Sequence, residues 1–162
     1  MPSMVADCMT KDQIVFCNSN ERYRNERATM MGRLNLQERR DRADKANELL
    51  KEIGSCGRKF FYSEKHNQFG FFDVDNNGRI WYTDSYTGKR IYLHYQYWKR
   101  GFSNGGTMRA LINSLKSYIQ KGKTINPYHF GPWSDTICNG DLWGYGTDIK
   151  RVREKASNLG IT

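Results

Sequence analysis

The sequence predicts an α+β fold: a three- to four-stranded antiparallel β-meander packed on an amphipathic helix, with an N-terminal helical extension and a short C-terminal helix. Three observations predict it. The apolar period switches from helical to two at Arg58 and returns to helical near Thr107. Two turn signals, Asp75-Asn76-Asn77-Gly78 and Ser85-Tyr86-Thr87-Gly88, punctuate the period-two stretch. Met108, Leu111, Ile112, Leu115, Tyr118 and Ile119 recur at i, i+3, i+4, i+7, i+10 and i+11, the clearest helical stripe in the chain.

Taken in order, residues 1–20 show no period and read as a flexible N-terminal arm. Residues 21–54 are rich in Arg, Glu, Lys, Leu, Met and Ala and read as a helical extension, with a break suggested by Gly32 and Asn35. Beyond the break, Leu36, Ala43, Ala46, Leu50 and Ile53 form a narrow apolar seam, and charged residues of both signs fill the other faces. That pattern suits a solvated helix with i,i+4 pairs, or one that packs on a partner or on a second copy through 36–53. Gly54 and Gly57 end it.

Residues 58–162 read as the α+β domain. Phe60-Phe61-Tyr62 opens a strand, Phe69–Val74 forms another, and Arg79–Thr83 follows the Asn-Gly turn. Arg90–Trp98 is the longest predicted strand. On it Ile91, Leu93, Tyr95 and Tyr97 share a core face, and Tyr92, His94, Gln96 and Trp98 an aromatic, polar face. The 107–121 helix stops at Gly122. Residues 123–146, rich in Gly, Pro and rings, read as a long loop held by Trp133 and Trp143. Thr147 or Asp148 caps a last helix to about Leu159.

With 162 residues the chain suffices for one domain with a real core. Apolar residues make up 38%, and an aromatic share of 14% supplies ring bulk in place of aliphatic bulk, which argues against disorder throughout. Lys and Arg total 26 against 17 Asp and Glu, a surplus of +9 that favours phosphate-rich or acidic partners. No apolar run has membrane-spanning length and residues 1–10 lack a signal-like apolar segment, so the expected location is the cytoplasm, with no membrane partner. Cys8, Cys17, Cys56 and Cys138 lack zinc or redox spacing, and read as free thiols. No cofactor is predicted.

Four constellations carry chemistry. Asp73, Asp75, Asn77 and Asp84 fit the oxygen-ligand spacing of a calcium loop, with Gly78 and Ile80 at the matching places. The strand-like flanks favour a plain hairpin turn there. The second is the loop Lys99, Arg100, Ser103 and Asn104 before a helix start, which suits phosphate. The third is the polar face Arg109, Asn113, Lys116 and Gln120, with Lys121 and Lys123 beyond it, which can meet phosphates or base edges. The fourth is Trp81, Tyr92, His94 and Trp98, rings interleaved with cations that can stack bases. Asp73, Asp75, Asp84, Asp135 and Asp141 could gather around a nuclease-type metal and His94 or His129 could act as a base, but no spacing demands either and no catalytic residue is assigned.

At Phe60-Phe61-Tyr62, Gly78-Arg79-Ile80-Trp81, Tyr86-Thr87-Gly88-Lys89-Arg90-Ile91-Tyr92 and Gly101-Phe102-Ser103-Asn104-Gly105-Gly106-Thr107, the chain resembles small accessory proteins of tailed bacteriophages. The resemblance covers about 58–122, extends to the Trp-rich stretch ending at 146, and leaves out the N-terminal third. It implies expression in the cytoplasm of an infected bacterium and action on host nucleic-acid machinery or defence proteins. No activity comes with it. The β-β-β-α order also looks like three-stranded-sheet DNA-binding modules, an analogy of order alone. The leading expectation is therefore nucleic-acid binding. An inhibitor of an acidic host protein of defence, transcription or replication comes second, and a metal-dependent nuclease third.

Overall fold

The computed structural model describes residues 35–94, 102–103, 106–132, 142–144 and 147–162. The predicted arm 1–20, residues 21–34, and Lys99, Arg100, Asn104, Trp98 and Trp133 lie outside them. Helix α1 (35–54) is followed by five short strands: β1 (Tyr62–Ser63), β2 (Gln68–Phe69), β3 (Phe71–Val74), β4 (Ile80–Thr83) and β5 (Arg90–Tyr92). Then come helix α2 (Gly106–Lys121), a 3-10 turn (Pro127–Phe130) and helix α3 (Asp148–Asn158). The fold is α+β, as the sequence predicts. Among the described residues no helix is long and apolar enough to cross a membrane.

The meander is divided in two. β1 pairs with β2, and β3-β4-β5 form a separate antiparallel sheet. The predicted strand Phe69–Val74 is broken at Gly70, whose N–H donates to Phe61 O at 2.7 Å and so leaves the second sheet. The predicted strand at Phe60 starts only at Tyr62, because Lys59 and Phe61 adopt left-handed φ angles of 52° and 62°. That conformation costs about 1–2 kcal/mol for a residue with a Cβ. Burial of the Phe61 ring, 1% exposed, offsets it.

β5 is shorter than predicted. Leu93 N–H still reaches Ile80 O, but β4 begins at Ile80 and offers no partner further along. His94 N–H turns back to Tyr92 O at 2.8 Å and ends the ladder. Residues 95–98 lie outside the described residues. The predicted alternation holds over the described part: Ile91 and Leu93 are buried, Tyr92 and His94 exposed.

α2 buries the predicted stripe, Met108 through Ile119, in full. Gly122 at φ 72° closes it by donating to Tyr118 O, the left-handed cap that glycine adopts without strain. α3 spans the predicted range, but Thr147 makes no side-chain cap. Instead the Asp148 carboxylate in its first turn accepts the Gly57 N–H at 3.1 Å.

α1 is helical at Asn35, so the predicted break does not fall there. From Ala43 on its seam is covered by this chain itself: Ala43, Ala46, Leu49, Leu50 and Ile53 are at most 3% exposed, while Leu36 is half-buried. Glu38–Thr162 form one compact unit. Within it α1 is tied by polar contacts to β3, α2 and α3. Asn47 clasps the open edge of β3, its Nδ2 donating to Phe72 O and its Oδ1 accepting from Phe72 N–H, as a neighbouring strand would. Arg42 donates to Ile119 O of α2. Glu52 and Glu48 pair with Arg151 and Lys155 of α3. Cys56, just past the helix, is a buried free thiol, and burial pushes its pKa up to about 11.

The core lies under the inner face of the three-stranded sheet. Tyr82 sits at its centre, fully buried, with Phe72 and Phe102 rings 5.4 and 5.7 Å away. Its hydroxyl has no hydrogen-bond partner among the described residues, and burial pushes its pKa far up. A buried orphan hydroxyl opposes folding. Tyr82→Phe is therefore expected to stabilise the protein by about 1 kcal/mol, raising Tm by about 2–4 °C in a calorimetric scan. A lower Tm would show that the hydroxyl has a partner in solution.

Candidate anion cleft and aromatic sheet face

The Asp-rich turn between β3 and β4 places the first functional side chains. Asp75 Oδ1 accepts the N–H groups of Asn77 and Arg79, each at 2.9 Å, and Gly78 completes the turn at φ 79°. Asp75 Oδ2 accepts the Trp81 indole N–H at 2.9 Å. That indole bond, followed by the two backbone donors, holds the Asp75 carboxyl below the usual carboxylate range. Asp73 is paired across the sheet with Arg90.

Asp84 is fully buried and accepts five hydrogen bonds. Oδ2 takes Tyr86 N–H, Thr87 N–H and the Thr87 hydroxyl; Oδ1 takes the Ser103 N–H and hydroxyl, both at 2.9 Å. The four residues that fit a calcium loop are thus divided among a turn, an ion pair and a buried lock. Among the described residues no three His, Cys, Asp or Glu side chains gather as a metal site.

Along α2, Arg109, Asn113, Lys116 and Gln120 advance by four, three and four residues and form one stripe beside the buried face. Asn113 and Gln120 are exposed, Arg109 and Lys116 half-buried. Lys121 and Lys123 are exposed just beyond. Ser103, predicted beside them as a phosphate contact, has both its donors taken up by Asp84.

The lower part of that stripe opens on a cleft of about 190 Å³. Arg39 of α1, Asn77 and Arg79 of the turn, His94 after β5, and Lys116 and Gln120 of α2 line it. Among the described residues no carboxylate does. Arg39 is steadied by donating to Gly78 O at 2.8 Å. Burial holds the Lys116 ammonium below its usual pKa. Among the described residues none of Arg39, Arg79 and Lys116 makes an ion pair, whereas Arg42, Lys59, Arg90, Arg151 and Lys155 all do. Three cations with amide donors between them fit an oxyanion. Sequence reasoning found Lys116 and Gln120 but missed Arg39 and Arg79. Arg39 looked like one charge among many on a solvated helix, and the only signal for Arg79 was its place beside the turn glycine.

The outer sheet face adjoins the cleft. Trp81 and Tyr92 are register partners with ring centroids 5.0 Å apart, and the His94 ring lies parallel to Tyr92 at 5.2 Å. The Arg90 guanidinium covers Trp81 at 4.2 Å, and Arg79 lies 5.8 Å from the Tyr92 centroid. Of the four predicted stacking residues, the structure brings together Trp81, Tyr92 and His94.

Comparisons with known proteins bear on the whole of this region. Over 128 residues, 77% of this chain and 85% of the other, the sequence is 28% identical to the SPbeta prophage-derived uncharacterized protein YoqU of Bacillus subtilis (strain 168). No solved structure matches. The phage origin implied by the resemblance at 58–122 thus agrees with a prophage-derived relative, and the likeness is wider than that stretch. The YoqU family model matches residues 36–162, taking in α1, the sheet, the cleft and α3, and the chain belongs to that family.

Proposed function

We propose that this phage-type protein binds nucleic acid through its backbone phosphates, using the cleft of Arg39, Arg79 and Lys116 and the α2 stripe that runs from it to Arg109. The observation that carries this reading is the cleft's charge: three cations and, among the described residues, no ion pair to them and no carboxylate in the lining. A net charge of +9 supports it by attracting polyanions from a distance. Asn77 and Gln120 supply neutral donors for phosphate oxygens at the same place.

Binding to labelled DNA and RNA, followed by anisotropy as salt is raised, tests the proposal. Affinity should fall steeply with salt. Arg79→Glu and Lys116→Glu should each weaken binding about tenfold at low salt and flatten the salt slope by about one unit, with Tm unchanged. No binding at about 50 mM salt would overturn the reading. Capture of an acidic protein from nuclease-treated bacterial lysate by the wild type, lost in the same variants, would then favour the host-protein inhibitor.

A further inference from the structure

We infer that the nucleic acid this protein takes is single-stranded, with unpaired bases laid on the outer face of the β3-β4-β5 sheet while a neighbouring phosphate occupies the cleft. The inference rests on the nucleic-acid reading above and names its substrate class. Strand register puts Phe71, Asp73, Trp81, Arg90 and Tyr92 on one face of the sheet. The opposite face is the core. On this outer face Phe71 and Tyr92 each keep 38% of their surface exposed.

A sheet face with exposed rings suits bases, because every base has a π-face and stacking on an aromatic ring needs no particular sequence. In a duplex those faces are already stacked on neighbouring pairs and only edges are offered. The arrangement also has the cations in the right place. Tyr92 belongs both to the sheet face and to the cleft wall, together with Arg79, His94 and Lys116. A base against Tyr92 therefore has its own backbone next to the three cations of the cleft. Arg90 already lies over the Trp81 ring, as a guanidinium can also lie over a stacked base. A duplex-binding surface built on phosphates alone would have no use for rings beside the cations.

The test uses the full chain and a labelled mixed-sequence oligonucleotide of about 16 nucleotides, as DNA and as RNA, single-stranded and annealed to its complement. The expected result is single-strand binding at least about tenfold tighter than duplex binding for DNA or RNA, and a loss of about tenfold in Tyr92→Ala. Tyr92→Leu, which keeps apolar cover on the sheet but removes the ring, should show the same loss, and Tyr92→Phe should restore wild-type affinity. Equal or tighter duplex binding, or Tyr92→Leu within about twofold of wild type, overturns the inference. If Arg79→Glu still weakens binding about tenfold in that case, the phosphate-binding reading stands and only the stacking face falls. If neither form binds at low salt, both fall together.

Discussion

Asp84→Ala is expected to cost about 4 kcal/mol of stability, enough to leave a substantial unfolded population in a domain of ordinary stability. The carboxylate is fully buried and gathers five donors from two segments distant in sequence. Its Oδ2 side organises the β4–β5 turn. Its Oδ1 side fixes Ser103 at the entry to α2, nineteen residues away. Removing the side chain takes away the buried acceptor that ties the part-buried donors of Tyr86, Thr87 and Ser103 together and leaves a cavity in its place. Asp84→Asn keeps the shape and one acceptor oxygen but turns an NH2 toward one set of donors, so an intermediate loss of about 2 kcal/mol is expected. Urea denaturation gives the ranking: wild type, then Asn, then Ala, with midpoints falling in that order and slopes unchanged. Equal midpoints for Asn and wild type would mean that the carboxylate does not gather both sets of donors. Because the turn feeds β5, and β5 carries Tyr92, loss of this lock should also weaken nucleic-acid binding without touching a cation of the cleft.

This lock was hidden in the sequence for a physical reason. An aspartate six residues after a glycine and eleven after another aspartate has the spacing of a loop ligand, and spacing cannot report which donors a fold delivers to it. Elements whose evidence is local were legible. The α2 stripe is six residues long in its own period, and all six are buried. The Asp75–Gly78 turn follows from an aspartate that can accept its own downstream N–H groups and a glycine that accepts φ 79°. What the α1 seam packs on was not legible, because Ala43, Ala46, Leu50 and Ile53 present the same stripe to a sheet of the same chain as to a second copy. Asn47 carried no signal at all: a polar residue on a helix looks solvated until an unpaired strand edge is brought beside it. The cleft belongs to the same class, since Arg39 and Lys116 are joined only by the packing of α1 and α2.

The break between the two sheets gives the second large effect. Gly70→Ala is expected to destabilise the protein by about 3 kcal/mol, at the upper end for overpacking by a single methyl. A Cβ at that position would stand 2.1 Å from the Tyr82 hydroxyl oxygen and 2.8 Å from Cζ of the same ring. The ring cannot swing away, because it is fully buried with Phe72 on one side and Phe102 on another. The backbone cannot yield cheaply either, since Gly70 N–H is held by Phe61 O and Phe71 begins β3 at the next residue. Tyr82→Phe removes the oxygen that clashes first, so the double variant should recover about half of the loss. A thermodynamic cycle from urea midpoints would then show coupling of about 1–1.5 kcal/mol between the two positions. Additive losses would mean that the alanine is accommodated by moving the β2–β3 junction rather than against the Tyr82 ring. In that event the sequence alternation through Phe69–Val74 would describe one strand that Gly70 merely bends. Coupling would show that Gly70 is required because the centre of the core stands against its backbone, which is why one period-two stretch serves two sheets.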